Sequence, residues 1–275
     1  MNKKKIAIMT AIGYILSMII GVFISNIIIS IIGGTIVDSM DISEANIISK
    51  LIIQIPPTIF LLYVIRRFYE WKDIGFRKIN IRNIIWFTPY VVILVFMVTK
   101  FILEIYKNAH SFTTMTWITM ISTFIGVFLA GFSEEVIFRG VFLSSFRNRN
   151  SIIGAMIISS LGFSIVHFFT IVMGISIIDV FYRIIYSSLL GFAFVGLVIK
   201  INNMWPIIIF HIIWNYIIMV SNTLNIEISR ITSICNLINV TVAILLWIII
   251  IKDQIQRNSL VYNIDNLISD NIKKD

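Results

Sequence analysis

The chain has 275 residues, of which 58% are hydrophobic and only 13% charged, with a mean hydropathy of +0.95. A soluble domain would carry about 25% charge, so this composition excludes one and calls for hydrocarbon as solvent. The formal charge of +8 sits mostly in short segments between apolar runs. The basic residues therefore read as topology signals, and nucleic-acid binding is set aside.

The N-terminus reads MNKKK and enters an apolar stretch reaching Ile32. No small-residue cleavage site follows a short apolar core, so a retained first span is predicted rather than a signal peptide. Eight spans are predicted in all: 6–32, 47–65, 84–104, 115–138, 152–171, 177–199, 204–221 and 231–251. Each approaches the ~20 helical residues that cross ~30 Å of hydrocarbon. Helices satisfy their own backbone groups in lipid, so the fold class is an all-α polytopic integral membrane bundle. Pro56 and Pro57 are predicted to disturb the second span. The fourth is predicted to continue past Arg139 towards Ser145, as one long or broken helix. Residues 1–252 read as one integral membrane domain and 253–275 as a polar cytoplasmic tail. Cys235 is the only cysteine, which excludes an intrachain disulfide and reads as packing.

The charge distribution predicts a multi-pass protein of the cell membrane with both termini in the cytoplasm. The inner side then receives Lys3, Lys4, Lys5, the basic residues of 66–82, Arg147, Arg149, Lys200 and Lys252. The first outer loop carries Asp38, Asp41 and Glu44, and few basic residues such as Lys50 fall on that side. Residues 66–82 read first as a topology-setting loop. His110 reads as solvated in an outer loop. Asp179 and Arg183, four apart, read as an interfacial ion pair, and Trp86, Trp117, Trp205 and Trp247 as interface anchors.

The functional signal is carried by polar side chains at membrane depth, where ionisable groups are costly to bury. Glu134, Glu135 and Arg139 lie in GFSEEVIFRG, His167 in GFSIVHF, and His211 with Asn215 in FHIIWN. Their recurrence in three apolar stretches predicts one site between helices. The adjacent glutamates point about 100° apart on a helix and so take different roles. Glu135 and Arg139 can meet on one face, each offsetting the desolvation of the other. Arg139 is thus expected to brace the helix and hold Glu135 ionised, leaving Glu134 free. Phe163 lies one turn before His167 and is expected to pack beside it. His211 and Asn215 project together, the first able to exchange protons near neutrality and the second a donor that does not titrate. At ~1.5 Å per residue from the inner ends, Glu134 lies ~20 Å from Arg147, His167 ~24 Å from Ser151 and His211 ~12 Å from Asn203. One site therefore requires a tilt, a break or a different helix start.

Two chemistries fit these groups. In one, Glu134 with His167 activates water directly while His211 and Asn215 steady an oxyanion. In the other, Glu134, His167 and His211 hold a divalent zinc-like ion whose bound water attacks. Either histidine alone reads equally well as a satisfied interhelical hydrogen bond. The full set reads as function. A solute carrier would use similar groups, but neither inverted repeats nor paired broken spans are present in the sequence.

The ordered motifs EExxxR (Glu134, Glu135, Arg139), FxxxH (Phe163, His167) and HxxxN (His211, Asn215) resemble the CPBP family. This family comprises type II CAAX prenyl endopeptidases and bacteriocin-processing or immunity proteins, also called Abi proteins. The resemblance covers about residues 115–221. It implies an eight-helix intramembrane endopeptidase with its site in a cavity. It further implies that Glu134 and His167 activate water, His211 and Asn215 form the oxyanion site, and Glu135 and Arg139 support them. The prenyl-protein branch removes the last three residues after a prenylated cysteine, and the family often carries a metalloprotease label. The expected partners are membrane lipid and a membrane-associated peptide or protein substrate. A noncatalytic immunity or regulatory protein is the second reading, and a solute transporter the third.

Overall fold

The computed structural model of the chain describes the backbone of residues 2–36, 42–79, 81–147, 152–172 and 174–272, and the side chains of 2–31, 49, 51–79, 81–147, 152–172 and 174–256. Asp38, Asp41, Arg149 and Ser151, together with the side chains of Glu44 and Lys50, lie outside the described residues.

Among the described residues every regular element is helical. The elements are α1 (Lys3–Ile36), α2 (Ile42–Phe68), α3 (Thr88–Asn108) entered by a 3-10 segment (Ile81–Phe87), and α4 (Thr114–Glu135). A π-helix (Val136–Phe142) joins α4 to α5 (Leu143–Phe146). Then come α6 (Ile152–Ile165) with a 3-10 extension (Val166–Ile171), α7 (Ile177–Ile201), α8 (Trp205–Thr223) and α9 (Ser229–Ile272). Eight of the described segments are long and apolar enough to cross a membrane, and they correspond to the eight expected spans. The protein is a polytopic helical bundle. The fourth span runs unbroken from Thr114 to Phe146, further than its apolar run alone indicates. It is central, with α1, α2, α6 and α8 all packed against it or its π continuation.

Pro56 and Pro57 do not end α2, which is helical on both sides of them. Neither proline has an N–H, so the carbonyls of Ile52 and Ile53 lose their usual partners. The Ile53 carbonyl faces α1 at Gly21, where an added Cβ would stand 2.5 Å from its oxygen. Glycine lets α1 lie directly on the backbone that the prolines expose. Thr58 Oγ1 donates to Gln54 O at 2.7 Å and holds the next turn.

Residues 69–79, within the segment read as a topology-setting loop, dock on the protein. Tyr69 Oη lies 3.0 Å from Ser145 Oγ. Burial pushes the Tyr69 hydroxyl pKa above its ordinary value, against the opposing effect of that bond. Ile74 is buried, and Phe76 packs between Trp71 (5.1 Å), Phe132 (6.4 Å) and Trp205 (5.4 Å, ring centroids). Trp205 thus has a packing role beyond anchoring an interface, and Trp247 Nε1 donates to Phe192 O at 2.9 Å. The segment also receives the start of α8. Met204 N donates to Gly75 O at 3.2 Å, and Asn203 Nδ2 donates to Arg77 O. Asn203 and Met204 are both buried. The chain therefore enters α8 from inside the protein, which removes the depth mismatch expected for His211.

The helix α9 passes residue 253 without a break and continues to Ile272. Asp253 pairs with Lys200 at 2.8 Å, and Gln254 Oε1 accepts from Ile152 N at 3.2 Å. These contacts tie the end of the last span to α6 and α7.

Gly21→Val is expected to force α1 off α2 and to cost ~1–3 kcal/mol by overpacking. The measurement is the thermal midpoint of purified protein. Ile20→Val, at an outward position 54% exposed, is expected to leave the midpoint unchanged.

Candidate active site

Three consecutive residues at the end of α4 point to three different places. Ser133 faces α1, where its hydroxyl lies 2.9 Å from the fully buried Tyr14 Oη. Glu135 faces α8. Glu134 lies between them and remains 12% exposed. The ~100° step per helical residue delivers this division. Gly131, one turn before Glu135, brings α8 close, since a Cβ there would stand 3.1 Å from Ile212 Cγ1.

Glu135 is completely buried and accepts two hydrogen bonds on one oxygen. Arg139 Nη1 reaches Oε1 at 3.1 Å, and His211 Nδ1 reaches the same atom at 2.8 Å. Beside a buried guanidinium Glu135 is a carboxylate, which can only accept, so Nδ1 is the protonated nitrogen. The ring orientation then turns Nε2 towards Glu134 Oε2 at 3.7 Å. The i,i+4 pair of Glu135 with Arg139 is formed as the spacing predicts. The bond from Glu135 to His211 was not legible, because it joins residues 76 positions apart.

Arg139 is itself 1% exposed and sits in the π-helix. Its Cζ lies 3.9 Å from the Phe163 ring centroid and 5.7 Å from that of Phe194. These faces hold the cation by cation–π attraction while its edge meets Glu135. The Phe138 carbonyl accepts the backbone N–H of Leu143 across the π turn and also the hydroxyl of Ser159 on α6, at 2.8 Å. Such single π turns are frequent at functional sites because they re-aim a side chain without ending the helix.

Phe163 also organises the two imidazoles. The His167 ring meets it edge-on at 5.3 Å and the His211 ring at 5.9 Å. Both histidines and both glutamates thus converge beside one aromatic ring and one buried cation. The His167 ring makes no hydrogen bond among the described residues, and its carbonyl accepts from Thr170 Oγ1 at 2.7 Å. Asn215 lies one turn beyond His211, is half-buried, and has no hydrogen-bond partner among the described residues. Glu134, the imidazole of His167 and the Asn215 amide therefore make no hydrogen bond among the described residues, whereas Arg139 and His211 are both bound to Glu135.

Among the described residues no three His, Cys, Asp or Glu side chains are grouped so as to hold a metal ion. Glu134, His167 and His211 as they stand do not form such a set. His110 is exposed at the far end of α3 and takes no part. Tyr14, Ser133, Ser159 and Phe194 support the site without a sequence signal. Serines and aromatics inside apolar runs are indistinguishable from ordinary packing residues until their partners are known.

The fold and this polar cluster define a multi-pass membrane protein with an acid–imidazole site between its helices. Residues 114–217 match the family model described as type II CAAX prenyl endopeptidase Rce1-like. The matched region contains every residue of the three motifs, and the match supports a likeness to the CPBP family of intramembrane proteases over that region. No curated protein and no solved structure matches the chain.

Arg139→Ala leaves Glu135 buried without its cation, and is expected to lower stability by ~3–5 kcal/mol. Tyr14→Phe removes one hydrogen bond and is expected to cost ~1 kcal/mol. Thermal midpoints of both variants in the same detergent check this order.

Proposed function

We propose that the protein hydrolyses peptide bonds of membrane-associated peptides or proteins, with Glu134 as the general base. The observation that carries this reading is the contrast between the two glutamates. Glu135 Oε1 is engaged by both Arg139 and His211, while Glu134 makes no hydrogen bond among the described residues and lies 3.7 Å from Nε2 of the same imidazole. The Rce1-like match supports the reaction class at family level.

In the proposed reaction Glu134 takes a proton from water, and the resulting hydroxide adds to the substrate carbonyl carbon. The amide of Asn215 donates to the oxyanion that forms. The proton then passes from Glu134 to the amide nitrogen as the C–N bond breaks, giving a carboxylic acid and an amine and returning Glu134 to its carboxylate. His167 orients the water. His211 is committed through Nδ1, so it reaches the reaction through Nε2. There it accepts from protonated Glu134, or donates beside Asn215 once it holds the proton. Glu135 and Arg139 fix that ring and touch no substrate. A zinc ion on Glu134, His167 and His211 is the other expectation from the sequence, and metal analysis of the purified protein tests it. Every step above uses the chain's own groups.

We further propose that the protein lies in the cell membrane with both termini on the cytoplasmic side. An even number of spans and the basic residues near Lys3–Lys5, Arg66–Arg67 and Lys200 support this.

Glu134→Gln is expected to reduce cleavage at least ~10³-fold, the order lost with a positioned acid–base group, at equal membrane insertion. Mass-spectrometric product mapping on membrane-associated peptides makes the measurement. Undiminished cleavage by Glu134→Gln would remove its assigned role. A phenotype that survives Glu134→Gln, His167→Ala and His211→Ala at equal expression would favour a noncatalytic immunity or regulatory protein. Motif-dependent solute flux without cleavage would favour a transporter.

A further inference from the structure

Arg183 is an arginine inside a membrane span. It lies in α7, and the sequence pairs it with Asp179 four residues earlier. That pair is not formed. Asp179 Oδ2 accepts from Ser176 Oγ at 2.7 Å, while the same serine caps the helix by accepting from Asp179 N at 3.2 Å. Among the described residues Arg183 has neither an ion pair nor a hydrogen bond. A cation at this depth is costly unless it meets an anion or water.

Arg183 lies at the edge of the buried face of α7, since Asp179 and Tyr186, four before and three after it, are exposed. Val180 and Ser187, three before and four after it, are both buried and share its stripe on α7. Arg183 is nevertheless exposed, so it borders open space rather than packed side chains. Its depth follows from two contacts between α7 and the antiparallel α6. Ser188 Oγ donates to Ser164 Oγ at 2.8 Å, and Gly191 lies against Ser160. From that common level Arg183 is five residues along α7 and His167 three along α6. At ~1.5–2 Å per residue both lie ~5–8 Å further on, at matching depth. The charge of Arg183 acts on both Glu134 and His167.

We propose that Arg183 is a substrate-anchoring residue that binds a carboxylate of the peptide close to the bond being cut. The planar guanidinium presents a fork of donors that fits a carboxylate bidentately. It stands at the depth of His167 and within electrostatic range of Glu134 and His167 without belonging to the Glu135–Arg139–His211 cluster. The carboxylate comes from a free C-terminus or from an acidic side chain. This deepens the hydrolytic reading and rests on it for the reaction, but not for the binding.

The test uses the full chain in lipid nanodiscs and short palmitoylated fluorogenic peptides of one sequence. One ends in a free acid, one in an amide, and one in an amide with a glutamate after the cut. Arg183→Gln is expected to raise KM at least ~10-fold for the carboxylate-bearing peptides, the scale of a lost charge-assisted hydrogen bond, with kcat kept. Its KM for the neutral peptide stays unchanged, and Arg183→Lys retains part of the preference. The free-acid and glutamate peptides separate the two carboxylate sources. Direct binding to Glu134→Gln protein, with and without Arg183→Gln, is measured in parallel. Binding that depends on Arg183 without any cleavage by the wild type would end the hydrolytic reading and leave the anchor standing. Equal losses on neutral and acidic peptides, no change on any, or no carboxylate-dependent binding would overturn the anchor. So would an Arg183→Gln effect confined to binding of phosphatidylglycerol, which would assign the cation to lipid phosphate.

Discussion

The site depends on one buried carboxylate oxygen. Glu135 Oε1 holds Arg139 of its own helix at 3.1 Å and His211 of α8 at 2.8 Å. Each of these groups would be costly alone in a low-dielectric interior. Together they join the fourth and seventh spans at a fixed height and a fixed ring angle. A buried ion pair often adds no more stability than well-packed apolar residues would, and what this one supplies is a bond between two helices at one height. Glu135 Oε2 and Arg139 Nε and Nη2 have no hydrogen-bond partner. The pair is therefore single-pronged, and the faces of Phe163 and Phe194 hold the guanidinium in place of a second hydrogen bond.

The remaining architecture brings that oxygen to its partners. Gly131 allows α8 to approach α4, and the π turn swings Arg139 under Phe163 while Ser159 donates to the Phe138 carbonyl. The segment 69–79 anchors the buried entry to α8 and closes over Phe132, two residues from Glu134. On the other side Tyr14 pins Ser133 to α1. The consequence is a division of labour between adjacent residues. Glu135 is held through Oε1 by two partners, and Glu134 is positioned by its neighbour without a hydrogen bond of its own among the described residues.

Much of this was legible in the sequence because it is local. Apolar runs of the right length showed the spans. The four-residue spacings of Glu135 with Arg139, Phe163 with His167 and His211 with Asn215 showed which side chains share a face. What was not legible depends on partners distant in the chain. Pro56 and Pro57 read as a disturbance because the sequence cannot show Gly21 of α1 lying on the exposed Ile53 carbonyl. Asp179 and Arg183 read as a pair because the competing Ser176 hydroxyl looked like an ordinary loop residue. Residues 66–82 read as a loop by charge, yet Ile74 and Phe76 within them are packing residues. The depth of His211 was misjudged for the same reason, since α8 begins inside the protein.

The most direct measurement is the protonation pattern of His211 by nitrogen-15 NMR of histidine-labelled protein. Only 3 histidines are present, so the signals can be assigned by substitution. A hydrogen-bonded proton on Nδ1 of His211 that disappears or shifts strongly in Glu135→Gln is the result expected. An Nδ1 without a proton, or a signal indifferent to Glu135→Gln, would contradict the carboxylate bridge on which the site is built.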